Sequence, residues 1–307
     1  MRNAFVKQLV KQASANKNII LLTADLGYTV FEDYQKKLPK QFCNVGVAEA
    51  NMIGIATGLA LSGKTVLAYS IASFATLKTV EQIRNDTCVH NAHVIIVGSG
   101  SGFSYSNSGP THHTLEDLAI MRTLPNLTIF SPADPQEAKW CLAQALKLKT
   151  PVYIRLGKKG EPNLYSKKPK LVLGKPGIIK QGKDYLVITT GNIAYNCLLA
   201  EKILEEKGLK GTILSMHTIK PVNTKVLGNF LKKYRHIITV EEHTLLGGLG
   251  SIISETIVDL KLKNCELKKI GVPDTFTFVS GDIKYIRDLY GLSPEKIADT
   301  ILKELKK

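Results

Sequence analysis

The chain has 307 residues, enough for two domains with separate cores, and its 44% hydrophobic and 22% charged residues exclude a disordered or fibrous protein. Its 41 Lys and Arg against 26 Asp and Glu leave a formal charge of +15, mostly lysine spread along the chain; no segment joins basic clusters to interleaved aromatics, which sets nucleic acid aside and leaves an anionic substrate or an acidic partner chain. No stretch approaches the roughly 20 apolar residues of a membrane span, the start carries no cleavage signal, and Cys43, Cys88, Cys141, Cys197 and Cys265 fit neither a disulfide framework nor a zinc spacing, so a cytoplasmic location without membrane contact is expected.

Residues 1–10 are amphipathic and lead to an apolar strand at Ile19–Thr23, which ends in Thr23-Ala24-Asp25-Leu26-Gly27. Asp25 stands at a strand end, where aspartate is an ordinary turn former as well as a possible ligand. Residues 42–47 read as a short buried strand, and Glu49 follows at the mouth of a helix that is otherwise small and apolar. Along that helix Ala50, Gly54 and Gly58 recur at four-residue spacing, one face in an α-helix. Each helical glycine costs about 1 kcal/mol relative to alanine, so the face is expected to meet a backbone or a flat ligand closely.

A strand at residues 65–69 runs into Tyr69-Ser70-Ile71-Ala72-Ser73-Phe74, and a helix follows around residues 81–85. The next strand, 94–97, opens onto a long irregular loop from Gly98 to His113, at the strand end where open α/β sheets usually hold ligands. Its histidine pair has two readings: His112 can brace the following helix or face a ligand, since imidazole donates or accepts at neutral pH. Strands at 127–130 and 152–155 bracket a helix at 136–148 whose start is marked by Asp134-Pro135. Arg155 and Lys158 follow the last of these strands.

Residues 157–175 lose all periodicity in a lysine-, proline- and glycine-rich stretch. We place a first domain at 1–160, a linker at 161–174 and a second domain at 175–307. The second block alternates again, with strands at Tyr185–Thr190, Gly211–Ser215 and 236–240 and a last helix after Ser293-Pro294-Glu295. Its glycine-rich segment, Glu241 to Gly250, lacks a P-loop lysine and reads as a turn opening a helix at Ser251. Strand–helix alternation throughout predicts α/β architecture: two domains, each a mostly parallel sheet flanked by helices.

Gly46-Val47-Ala48-Glu49-Ala50-Asn51-Met52 resembles the segment of transketolases and related thiamine diphosphate enzymes that carries their cofactor-activating glutamate. The resemblance implies that Glu49 is catalytic, bonding a ring nitrogen of the cofactor's aminopyrimidine, and that the cofactor does the chemistry. It implies that Phe74 stacks on that ring, with core packing as its other reading, and that Tyr69 and Asp25 lie near the cofactor. Gly109-Pro110-Thr111-His112-His113 is similar to the substrate loop, which makes His112 a catalytic and substrate-binding residue and puts Ser108, Arg155 and Lys158 with the substrate. Two positions depart from the pattern: Ser108 stands where sugar-specific transketolases carry an aspartate, and Gly100 where they carry a phosphate-contacting histidine.

The chain has no Gly-Asp-Gly followed by an asparagine, the pattern that holds magnesium and the diphosphate in this superfamily. The resemblance therefore covers only the pyrimidine-binding and C-terminal domains and implies the C-terminal subunit of a split transketolase. It further implies a separate N-terminal subunit holding Mg2+, assembly into a heterotetramer with Gly54 and Gly58 at an interface, and transfer of a two-carbon ketol unit between sugars or sugar phosphates. The beta subunit of a 2-oxo acid dehydrogenase, with the same two domains, and a non-catalytic scaffold subunit are the alternatives.

Overall fold

A computed structural model describes residues 1–158 and 160–306 of the chain. The first half forms β1 (Ile19–Thr23), β2 (Phe42–Asn44), β3 (Thr65–Ile71), β4 (Val94–Ser99), β5 (Thr128–Phe130) and β6 (Val152–Leu156). The second forms β7 (Gly177–Lys180), β8 (Tyr185–Thr190), β9 (Gly211–Ser215), β10 (Thr218–Lys220), β11 (His236–Thr244) and β12 (Glu266–Val272). They make two sheets, in the orders β10-β5-β6-β4-β3-β1-β2 and β12-β11-β8-β9-β7. All pairings are parallel except one edge of each, β10 on β5 and β7 on β9.

The central strands are apolar along most of their length because helices cover both sheet faces. In the first sheet Val66, Ala68, Val94 and Ile96 turn to one face, where Met52, Ile53 and Ala56 of the helix Glu49–Leu61 pack on them. Leu67, Tyr69, Ile95 and Val97 turn to the other, against Phe5 and Leu9 of the helix Arg2–Ala15 and Leu142 of the helix Pro135–Ala145. That last helix is capped as its sequence predicts: the Asp134 carboxylate accepts from the N–H groups of Gln136 and Glu137 at 2.9 and 2.8 Å.

Residues 42–47 differ from expectation. Only Phe42–Asn44 is strand, and as β2 it forms the sheet edge with Cys43 and Asn44 exposed, so its apolar look reflected one covered side rather than burial. The second difference is β10, which lies beyond the expected linker yet completes the first sheet. The two halves interlock there: the Ser131 N–H bonds to the His217 carbonyl at 2.9 Å, the Thr244 N–H to the Leu115 carbonyl at 2.8 Å, and the Ser215 hydroxyl to the Glu137 carboxylate at 3.0 Å.

Strand order fixes where ligands can go. The chain leaves β1 for β2 on one side and β3 on the other, and β8 likewise sits between β9 and β11. At such switch points the loops diverge and open a crevice at the carboxyl ends of the strands.

Candidate active site

The first switch point gathers most of the residues singled out from the sequence. Glu49 opens its helix directly after the turn at 45–48, which is fastened to the end of β1 by the Val45 N–H donating to the Thr23 carbonyl at 2.9 Å. Gly46 adopts φ +76° in that turn, a left-handed conformation suited to glycine. Asn44 ties the turn to Asp25: its side-chain oxygen accepts from the N–H groups of Asp25 and Gly46 at 2.9 and 3.1 Å, and its amide donates to the Asp25 carboxylate at 3.0 Å. Tyr28 donates to the same carboxylate at 2.8 Å. These two donors, Asn44 foremost, hold the Asp25 carboxyl below the usual range. Asp25 thus fixes the geometry of the turn that presents Glu49.

The Glu49 carboxylate is 3% exposed and lies 2.6 Å from the Lys78 ammonium, which is 53% exposed. Burial of a carboxylate demands a partner, and Lys78 together with the positive end of the helix supplies one. Lys78 hangs from a 3-10 turn, Leu77–Thr79, that continues the short helix Ala72–Thr76 after β3. Phe74 is on that same short helix, half-buried, with its ring edge-on to His112 at 5.1 Å between centroids. The Ser73 hydroxyl donates to the Thr111 carbonyl at 3.3 Å, so the histidine loop is fastened to the segment that carries Phe74 and Lys78.

Within the loop the Tyr105 ring stands 6.0 Å from the His112 ring, and the Lys158 ammonium lies 4.2 Å from the centroid of the Tyr105 ring. This placement explains the glycine at position 100. Its φ is +82°, and a Cβ there would sit 2.0 Å from the Tyr105 ring. A side chain at position 100 would have to take a strained backbone and displace the Tyr105 ring, so Tyr105 occupies the space where the resemblance has a phosphate-contacting histidine. His113, next to His112, turns inward: it is buried, edge-on to Phe103 at 5.2 Å, and burial lowers its pKa so that the ring is neutral at pH 7. Ser108 is exposed on the 3-10 turn Ser106–Ser108, its N–H bonded to the Tyr105 carbonyl at 2.9 Å.

Two residues stand elsewhere than the resemblance implied. Tyr69 faces the opposite side of the sheet from Glu49, 3% exposed and edge-on to Phe31 at 4.7 Å, because alternate residues of a strand point to opposite faces. It is a core residue. Arg155 is 1% exposed and bonded inside the chain: Nε donates to both Asp117 oxygens at 3.1 and 2.8 Å, and one terminal nitrogen to the carbonyls of Thr114 and Glu242 at 2.8 and 3.1 Å. It is a strut between the domains rather than a group facing substrate. The segment Glu241 to Gly250 begins as the end of β11 rather than as turn, and its helix, Leu249–Asp259, starts two residues before the expected Ser251, with the buried Glu241 accepting from the N–H groups of Leu249 and Gly250.

Sequence reasoning passed over Lys78, Asn44 and Tyr105. Lys78 had a signal, a single cation closing the uncharged run 69–77. Asn44 and Tyr105 act through backbone turns whose partners are 19 residues away or lie across an irregular loop, which spacing does not reveal.

The structure is thus two mostly parallel α/β domains with a candidate site at the first switch point, where an acid at a helix mouth is paired with a lysine of the segment that meets the histidine loop. The family comparisons make this specific. Residues 1–162 match the transketolase pyrimidine-binding domain and residues 174–297 the transketolase C-terminal domain, and the chain belongs to the transketolase family. It is 35% identical to one of the subunits of an apulose-4-phosphate transketolase from Phocaeicola vulgatus, over 100% of this chain and 97% of that protein. It is 36% identical to a putative transketolase C-terminal section of Methanocaldococcus jannaschii, over 100% and 96% of the two chains. Among solved structures it is similar to a split-gene transketolase described as an inactive beta4 tetramer, with a TM-score of 0.90 at 33% identity over 99% of this chain and 98% of that one. By these matches it is a transketolase-type transferase subunit.

Proposed function

We propose that this chain is the C-terminal half of a two-chain, thiamine diphosphate-dependent transketolase that moves a two-carbon ketol unit from a ketose to an aldose. The observation that carries the reading is the buried Glu49 carboxylate, set at a switch point and paired with Lys78 of the segment that also carries Phe74, whose ring meets His112. The residues fit the aminopyrimidine half of the cofactor: a carboxyl group to share a proton with a ring nitrogen and an aromatic ring for the ring face. Among the described residues no cluster of three or more His, Cys, Asp or Glu is placed to hold a metal ion. We assign Mg2+ and the diphosphate to a separate N-terminal subunit, in a heterotetramer.

When bound, the cofactor supplies a nucleophilic carbon and an electron sink for C–C bond cleavage. This chain's own groups do the positioning. Glu49 shares a proton with the pyrimidine ring nitrogen and so favours the imino tautomer, and Lys78 keeps the carboxyl group aimed. Phe74 supplies the ring face and walls out water, while His112, braced by Phe74 and by its bond to the Thr111 hydroxyl at 3.0 Å, offers one imidazole nitrogen to a donor-sugar hydroxyl. Lys158 adds positive charge toward a phosphorylated substrate. The relative from Phocaeicola vulgatus is named for a sugar phosphate, which agrees with a sugar-phosphate donor here. Family membership and the His112 loop favour this reading over a 2-oxo acid dehydrogenase subunit.

The test is calorimetric titration of thiamine diphosphate with Mg2+ into this chain alone and into its mixture with the cognate N-terminal chain, followed by assay with a ketose phosphate and, separately, a 2-oxo acid. Binding and ketose turnover in the mixture only are expected, and Glu49→Gln lowers turnover by about 10²–10³-fold while the chain stays folded. No cofactor binding in the mixture would overturn the proposal in favour of a scaffold.

A further inference from the structure

The loop that carries His112 is anchored from the second domain. Successive residues at the end of β11 point to opposite faces of its sheet: Glu241 turns toward the helix Leu249–Asp259, whose first N–H groups it bonds, and Glu242 turns toward the first domain. Glu242 is 1% exposed, and a carboxylate so buried needs partners for both oxygens. One oxygen accepts from the Phe103 N–H of the first domain at 2.7 Å. The other accepts from Nε of Arg287, on the helix Ile283–Leu289 of the second.

The bond to Phe103 falls where the loop leaves the fold. Gly102 and Thr114 pair as an antiparallel bridge, N–H to carbonyl in both directions at 3.0 and 3.1 Å, so residues 103–113 depart and return at one point. That excursion carries Tyr105 and His112. Gly102 has φ +61°, and a Cβ on it would lie 2.1 Å from a Glu242 carboxylate oxygen, so the loop backbone rests directly on the acid. Phe103 closes the joint: its ring stacks on Tyr290 of the second domain at 5.5 Å between centroids, with 10° between the planes, and meets His113, the neighbour of His112, edge-on.

We propose that Glu242 is a positioning residue of the reaction: through the Phe103 N–H it holds the base of the loop and so sets where His112 stands relative to Phe74 and Glu49. The inference rests on the ketol-transfer reading. It gives the second domain a part in the chemistry, although the residues placed at the Glu49 site all come from the first. A carboxylate that receives an amide N–H and a guanidinium N–H is a strong, directed anchor. Displacing a substrate-contacting group by about 1 Å costs up to about a hundredfold in rate.

The test compares the wild type, Glu242→Ala, Tyr290→Leu, His112→Ala and the double variant Glu242→Ala with His112→Ala, each checked for native circular dichroism. In the isolated chain, hydrogen–deuterium exchange of a peptide covering residues 103–113 is expected to rise in Glu242→Ala, and less in Tyr290→Leu, while a peptide covering Glu49 keeps its wild-type exchange. In the mixture with the N-terminal chain, kcat/KM for a ketose phosphate falls about ten- to a hundredfold in Glu242→Ala. Thiamine diphosphate binds that mixture with wild-type affinity, and Glu242→Ala costs nothing further once His112 is alanine. Should Glu242→Ala fail to fold, Tyr290→Leu, which loosens the same joint from the other side of Phe103 without stranding a charge, decides through the same cycle. Unchanged loop exchange, unchanged kcat/KM, or full additivity with His112→Ala would each overturn the role of Glu242 and leave ketol transfer standing. An inactive wild-type mixture would instead overturn the ketol-transfer reading, and this inference with it.

Discussion

The two switch points have the same strand geometry but are closed by different means, and their glycines make the difference visible. At the second, the fit is internal: a Cβ on Gly102 would lie 2.1 Å from the Glu242 carboxylate, and one on Gly157 would lie 2.1 Å from that of Glu161. Those glycines are dictated by contacts within this chain. At the first, Gly54 and Gly58 lie on the helix that begins with Glu49, and a Cβ on either would touch nothing within 4 Å. Two helical glycines cost stability without any return inside the chain. We propose that their use lies in what packs against that face from outside, on the same helix that carries the catalytic candidate. A glycine with free space around it in a subunit marks a boundary, whereas a glycine hemmed in marks a joint.

The largest expected effect comes from breaking the internal joint. Arg155 and Asp117 are a fully buried ion pair, further tied by the Tyr153 hydroxyl donating to Asp117 at 2.6 Å. Arg155→Met leaves Asp117 charged and unpaired, and the expected loss is about 3–5 kcal/mol of unfolding free energy, read as a lower urea midpoint. Adding Asp117→Asn to it recovers part of that loss, because the stranded charge is gone. If Arg155→Met unfolds at the wild-type midpoint, the strut assignment is wrong.

The first switch point responds to a smaller change. Lys78→Met removes the partner of Glu49, and because Lys78 is half exposed its bond is worth about 1 kcal/mol. Roughly five- to tenfold weaker thiamine diphosphate binding by the two-chain mixture is the expected outcome, with the urea midpoint of the isolated chain almost unmoved. Lys78→Arg restores binding, which a purely structural role would not require. Equal affinity in all three proteins would show that Lys78 does not position the carboxylate.

Much of this was legible in the sequence, and the reasons are physical. β1, β8 and β9 occupy the residues read from their apolar runs, since strands covered on both faces need no alternation and stand out from charged neighbours. The candidate site was legible where one residue type is needed for a stated chemistry, as with Glu49 and His112. What was not legible depends on pairing. The three residues of β10 carry no strand signal of their own and are strand only because β5 offers an edge. Arg155 and Tyr69 looked like ligands because they lie near strand ends, but which face a strand residue takes is set by the sheet's register and not by its position in the chain. Family resemblance placed them near the site without fixing their direction.

The pH dependence of stability sharpens the contrast, since the buried titratable groups lie at the joint between the domains. Burial pushes the Glu137 and Glu241 carboxyls up to about 7, and pushes the His217 and His243 imidazoles down to about 4. Between pH 4.5 and 7 the native acids hold protons that the unfolded chain has released, so their contribution falls as pH rises. Between pH 4 and 6.5 the unfolded histidines hold protons that the native ones lack, so their contribution rises with pH. Two groups of each kind oppose one another, and a nearly flat profile between pH 5 and 6 is expected from them. His217→Gln removes one rising term and tilts the profile downward by up to about 1.4 kcal/mol per pH unit, measured as urea midpoints at several pH values. A variant as flat as the wild type would mean that His217 titrates normally.

The smallest effect tests the open face directly. Gly54 lies within the helix Glu49–Leu61, its backbone is helical, and the space beside it is free in this chain. Gly54→Ala therefore stabilises the isolated chain by about 0.5–1 kcal/mol, since alanine loses less conformational freedom in a helix. Gly54→Leu is tolerated by the isolated chain for the same reason, but it projects a branched side chain into whatever approaches the face. Denaturation at low protein concentration reads the first effect, and sedimentation of the chain mixed with its N-terminal partner reads the second. Stabilisation by alanine together with weakened association in the leucine variant assigns the glycines to an interface. Destabilisation of the isolated chain by alanine would mean instead that the face is packed from within, and the contrast between the two switch points would be lost.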